Sequence, residues 1–176
     1  MASTTPIIKI YNENNTAIQS TWNAGELDVS SSDSYESDVL VINIWNNKGG
    51  STNVSNLIGC NITTKDINGE HNEQLVTEQW VKVCVDSTAS TDESGSKKFS
   101  PVGYDESIGK SIVCDVAYQG ATGTDKTNCT LKGIANTGVA SASKTNYSKV
   151  SLKIIPGVNA IAAVHHFKTR FTGYYI

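Results

Sequence analysis

Residues 149–155 read KVSLKII, with Val150, Leu152 and Ile154 alternating against Lys149, Ser151 and Lys153. A period of two is what a half-buried strand requires, and it is incompatible with a helix, whose apolar positions recur every three to four residues. Hardly any window of the chain keeps a helical period for more than a turn or two. Strand patterns recur instead: PIIKIY (6–11), DVLVINIW (38–45), LIGCNITTK (57–65), LVTEQWVKVCVD (75–86), SIVCDVAY (111–118), NCTLKGI (128–134) and HHFKTRFTGYYI (165–176).

These patterns are bounded by turn chemistry. The run 39–45 is apolar on both faces, with Val39 and Val41 on one and Leu40, Ile42 and Ile44 on the other, so it belongs mid-sandwich or under a covering loop. It stops at NNKGG, which supplies residues that tolerate positive φ and so predicts a turn. Asn68-Gly69 marks a second reversal after 57–65. In 75–86, Val81, Val83 and Val85 share one face, opposite Trp80, Lys82 and Cys84. STASTDESGSKK (87–98) reads as a polar surface loop. Two segments are ambiguous: IPGVNAIAAVHH (155–166) suits a short helix or one more strand, and VSNLIG (54–59) a turn of helix.

The expectation is an all-β fold: an antiparallel β-sandwich of Ig-like or jelly-roll type, with about eight to ten strands and little helix. At 176 residues one domain over 1–176 is expected, with a division near the Ser-rich loop at 87–100 as the alternative. A chain of this length buries enough surface to fold without a metal or disulfide.

Only 18% of the residues are charged, and Ser, Thr, Asn and Gly fill the polar positions. The charges are unevenly placed. Before Lys48 the one base, Lys9, stands against Glu13, Glu26, Asp28, Asp33, Glu36 and Asp38, whereas after Asp125 there are seven Lys and Arg and no acid. This is either a chance gradient over a solvated surface or self-complementarity between the acidic part of one copy and the basic part of the next. The bases are scattered singly, which argues against a nucleic-acid partner. No run approaches a membrane span, and residues 1–15 lack the basic and apolar regions of a signal peptide. Cys60, Cys84, Cys114 and Cys129 each sit in a strand pattern and read as buried thiols, although their wide spacing leaves two disulfides open. Five NxS/T sequons are what a chain rich in Asn, Ser and Thr yields by chance.

No catalytic, cofactor or metal constellation emerges. His165 and His166 lie near Lys168 and Arg170, but neighbours on a strand point to opposite faces and cannot share a metal. Asp66, Asn68 and Glu70 faintly suggest a calcium loop, yet the ligand order and the closing glutamate are missing, so a turn is preferred. Asp92-Glu93 and Asp105-Glu106 fall in Ser/Gly-rich loops. Of the tryptophans, Trp45 and Trp80 read as core or interface. Trp22, in the polar stretch STWNAGE, is the candidate stacking platform for a sugar. Trp22, His165 and His166 are therefore the candidate ligand or interface residues. A hydrolase would need a concave pocket holding a buried carboxylate or histidine.

The segments IWNNKGG (44–50), CNITTKDINGE (60–70), LVTEQWVKVCVD (75–86) and KVSLKIIPGVNAIAAVHHFKTRFTGYYI (149–176) together resemble all-β structural proteins of tailed bacteriophages and prophages of clostridia-like Gram-positive hosts. That resemblance implies a virion component without catalytic residues. It would be located on the capsid surface, neck, tail or baseplate, with other copies of itself and other virion proteins as partners. The alternative is a carbohydrate- or receptor-binding module that takes a host-wall glycan.

Overall fold

The 149–155 alternation becomes one strand of a five-stranded antiparallel sheet. In the computed structural model, which describes residues 4–30, 35–85, 96–105, 110–111 and 130–175, this sheet comprises β1 (Ile8–Asn12), β2 (Leu40–Asn46), β4 (Val81–Val85), β5 (Ser100–Pro101) and β7 (Tyr147–Ile154). Their order is β1-β2-β7-β4-β5. A second, three-stranded sheet runs β6-β3-β8, from β3 (Ile58–Asp66), β6 (Lys110–Ser111) and β8 (Phe167–Tyr174). Every pairing is antiparallel. The two sheets pack together as an all-β sandwich, as the alternation predicts.

The core lies between the sheets. Ile42 and Ile44 of β2, Val81, Val83 and Val85 of β4, and Val150, Leu152 and Ile154 of β7 meet Cys60 and Ile62 of β3, with Leu57 and Leu131 closing one end. Each such aliphatic side chain contributes roughly 1.5–3 kcal/mol by leaving water. β4 precedes the Ser-rich segment and β5 and β7 follow it, yet the three are neighbours in one sheet. Residues 86–95 of that segment lie outside the described residues, as do most of the predicted strand at 111–118, Cys114, Cys129 and Asp92-Glu93.

The outer face of the large sheet is covered as well. Asn43, Trp45 and Ser151 point away from the core and are nonetheless buried. Residues 12–15 reach over Asn43 and Trp45. Asn43 Nδ2 donates to the carbonyls of Asn12 and Glu13, Trp45 stacks on Tyr147 at 4.6 Å, and its indole N–H reaches Asn15. Lys97 Nζ donates to the Ser151 hydroxyl. β2 is thus buried on both faces from Ile42 onward, under a covering loop, whereas Val39 before it is exposed. The expectation that Ser151 faces solvent is corrected for the same reason.

Four other expectations change. Gln74–Thr77 is a single helical turn, α1, so the strand predicted over 75–86 begins only at Val81. Residues 54–59 form no helix. Segment 155–166 is neither helix nor strand but an irregular turn, and no strand among the described residues pairs with it. The described part of 128–134 makes only an isolated bridge, Leu57 to Leu131.

The NNKGG turn takes positive φ at Asn47 and Gly49, as its composition predicts. It is the hub of an asparagine network. Asn46 Nδ2 donates to the carbonyls of Ser55 and Leu131, Asn47 Nδ2 to those of Thr52 and Gly133, and Asn146 Nδ2 to those of Lys132 and Ile134. Asn136 ties Gly49 N–H to the Asn47 carbonyl. Asparagine suits this task because one side chain carries both donors and an acceptor, and a carbonyl such as that of Leu131 or Gly133 can accept it beside its backbone N–H partner.

Candidate functional site

After β7 the chain runs through an exposed apolar turn. Val158 is 89% exposed, Ile161 70% and Val164 81%. Exposed aliphatics grouped this closely on one turn make a candidate contact surface. The turn is held from below by the segment around α1. A helical turn places residues four apart on one face, so Gln74 and Glu78 lie side by side, 2.8 Å apart. The Gln74 amide donates to the Asn159 carbonyl at 3.1 Å and its oxygen accepts Ile161 N–H at 2.9 Å. Glu78 also accepts the indole N–H of the buried Trp80 at 3.0 Å, and these hydrogen bonds from Gln74 and Trp80 hold its carboxyl below the usual range.

The sequence candidates fall near this end. His165 and His166 precede β8, so strand alternation does not separate them as expected; packing does. His165 sits edge-on to Trp80 at 5.0 Å, with Nδ1 3.1 Å from the Glu73 carboxylate, while His166 is exposed. Trp22 is half-buried, edge-on to Phe167 at 6.0 Å and packed against the core, so it is not the open platform its polar neighbours suggest. His71 is elsewhere, stacked on Tyr104 at 4.3 Å. Glu73 and Gln74, which position the apolar turn, carry no motif and were not legible in the sequence.

At the opposite end of the sandwich, an open depression of about 490 Å³ is lined by Ile8, Leu57, Arg170, Phe171, Thr172 and Gly173. It lies where the edge strand β1 of one sheet meets the edge strand β8 of the other. Its lining includes no carboxylate and no histidine.

Charge follows the same axis. Residues 66–78, beside the apolar turn, contain Asp66, Glu70, Glu73 and Glu78 and no Lys or Arg, whereas 4–12, 43–65 and 130–175 contain no acid at all. Part of the sequence gradient is neutralised within the chain: Glu13 meets Lys149 at 2.9 Å and Glu36 meets Lys153 at 2.8 Å. The buried Asp66 is a turn residue. Its carboxylate accepts the backbone N–H groups of Asn68, Glu70 and Asn72. Burial alone raises its carboxyl, but the N–H groups outweigh it and hold Asp66 below the usual aspartate range. Among the described residues no three His, Cys, Asp or Glu stand close enough to hold a metal ion.

Comparison with protein-family models, with curated proteins and with solved structures finds no match to this chain.

Proposed function

We propose that the chain is a non-enzymatic structural component of a tailed-phage particle that acts through contacts between subunits. The observation that carries this reading is the exposed apolar turn at 158–164, held in place by Gln74 on a sandwich whose interior is filled. Exposed aliphatics grouped in one ordered turn are a usual feature of a protein contact surface. The resemblance of 44–86 and 149–176 to phage structural proteins supports the virion as the setting, with other copies and other virion proteins as partners.

Mass spectrometry of purified particles from the source strain tests the setting. The chain is expected at many copies per particle, and its absence there would sink the virion reading.

The glycan-binding alternative needs an aromatic face open to a sugar ring. Trp22 offers only part of one, because it leans on Phe167. A host-wall glycan array read with the wild type and Trp22→Ala separates the two. Binding lost in the variant would favour the glycan module; no binding by either protein would retire it.

A further inference from the structure

We infer that copies of this chain associate head to tail, the apolar turn of one seating in the depression at the far end of the next. This deepens the assembly reading and rests on it only for the presence of neighbouring copies.

Three observations point to a second copy as the occupant. First, the two apolar surfaces are at opposite ends. β8 begins at Phe167, beside the turn, and pairs there with Asp66; it ends at Tyr174, opposite Ile58, beside the depression. The depression's lining on β8 runs from Arg170 to Gly173, so the strand separates it from Phe167 by roughly 10–20 Å. One molecule therefore cannot satisfy its own turn, and two copies related by a two-fold axis bring turn to depression only by lying side by side and antiparallel. A heterologous contact does so and propagates, closing a ring or continuing as a filament.

Second, the ends are electrostatically complementary. The turn is flanked by Glu73 and Glu78, with Asp66 and Glu70 beyond them against the paired Lys65 and Lys168, and the depression is rimmed by the exposed Arg170. Segments 4–12, 43–62 and 170–175, toward that end, contain no acid. Unlike charges at opposite ends favour head-to-tail docking and penalise head-to-head docking.

Third, the depression is itself partly apolar, through Ile8, Leu57 and Phe171, and Ile7 and Tyr174 are exposed nearby. The contact would then bury aliphatic surface on both sides with charge at its rim, the usual anatomy of a specific interface.

The test uses the full chain and two exposed-site variants. Ile161→Asp damages the turn, with Val158→Asp as its duplicate, and Arg170→Glu damages the depression. Thermal melts confirm that each variant is folded. In sedimentation or light scattering, the wild type is expected to grow in mass beyond a dimer as concentration rises. Each variant alone should lose association by about tenfold or more. Mixing Ile161→Asp with Arg170→Glu should restore a 1:1 dimer and nothing larger, because only one intact turn and one intact depression remain per pair. A wild type that stays monomeric at every concentration overturns the inference. So do single variants that associate like the wild type, or a mixture that stays monomeric. If particles lack the chain while this pattern holds in solution, the virion setting fails and the head-to-tail contact stands.

Discussion

Asn46 and Asn146, 100 residues apart, hold each other by main chain and side chain. Asn46 N–H donates to the Asn146 carbonyl at 2.8 Å, and Asn146 Nδ2 returns a bond to the Asn46 carbonyl at 3.3 Å. Both residues are fully buried. Asn146 Nδ2 also serves Lys132 and Ile134, so truncating it removes three hydrogen bonds at once, of which the Ile134 carbonyl has a replacement donor in Asn136. A buried acceptor left unpaired costs about 1–3 kcal/mol. Asn146→Ala is expected to lose about 3 kcal/mol in urea denaturation, and a loss under about 1 kcal/mol would show that water replaces the network.

β2 gives a harder test. Ile42 is 5% exposed and faces the core. Ile42→Asp places an unpaired charge there, which costs several kcal/mol against a total stability of roughly 5–15. Soluble, cooperatively folded protein is not expected. Ile42→Val should fold and lose only about 0.5–1.5 kcal/mol, which separates a charge effect from general intolerance of the position.

Gly59 makes β3 carry one more residue than β8 between the pairs Ile58–Tyr174 and Asn61–Thr172. It sits at φ 62°, and a Cβ there would lie 2.6 Å from the Tyr174 ring. Gly59→Ala is expected to destabilise by about 1–2 kcal/mol through the left-handed backbone alone. The exposed Tyr174 ring can swing aside, so adding Tyr174→Ala should recover little of the loss. Full recovery in a double-mutant melt would place the cost in the ring contact instead.

Asp66 predicts a pH dependence. Its carboxyl is held below the ordinary aspartate value, so the folded state binds that proton less readily than the unfolded chain. The stabilisation is present above the ordinary aspartate range, about 4, and is lost as pH falls below it. Asp66→Asn should be less stable at neutral pH and should show a shallower fall in melting temperature on acidification. A wild-type slope in the variant would count against this role.

The Glu36–Lys153 pair is a modest effect by comparison. Glu36 is partly solvated, and exposed pairs contribute roughly 0–1 kcal/mol. Glu36→Gln is expected to shift stability by no more than about that amount, with the shift shrinking as salt is raised. A larger change, insensitive to salt, would mean that the carboxylate does something else.

The sequence alone determined the all-β class, the strands β2, β3, β7 and β8 with the inward face of β7, and the NNKGG turn. β7 shows this best: Val150, Leu152 and Ile154 alternate with a period that only an extended chain can bury on one side, and such a period is a property of neighbours in sequence. The NNKGG reversal was legible for the same reason, since positive φ is tolerated residue by residue. Only the tertiary structure decided which outward residues are covered and which apolar residues are left in water. Ser151 is polar and buried on a face that Lys97 crosses, and Ile161 is apolar and exposed because no strand among the described residues pairs with 155–166. Burial of that second kind depends on segments tens of residues away, which leave no local period to read. The pairing of Asn46 with Asn146, and of Gln74 with the apolar turn, belongs to the same class.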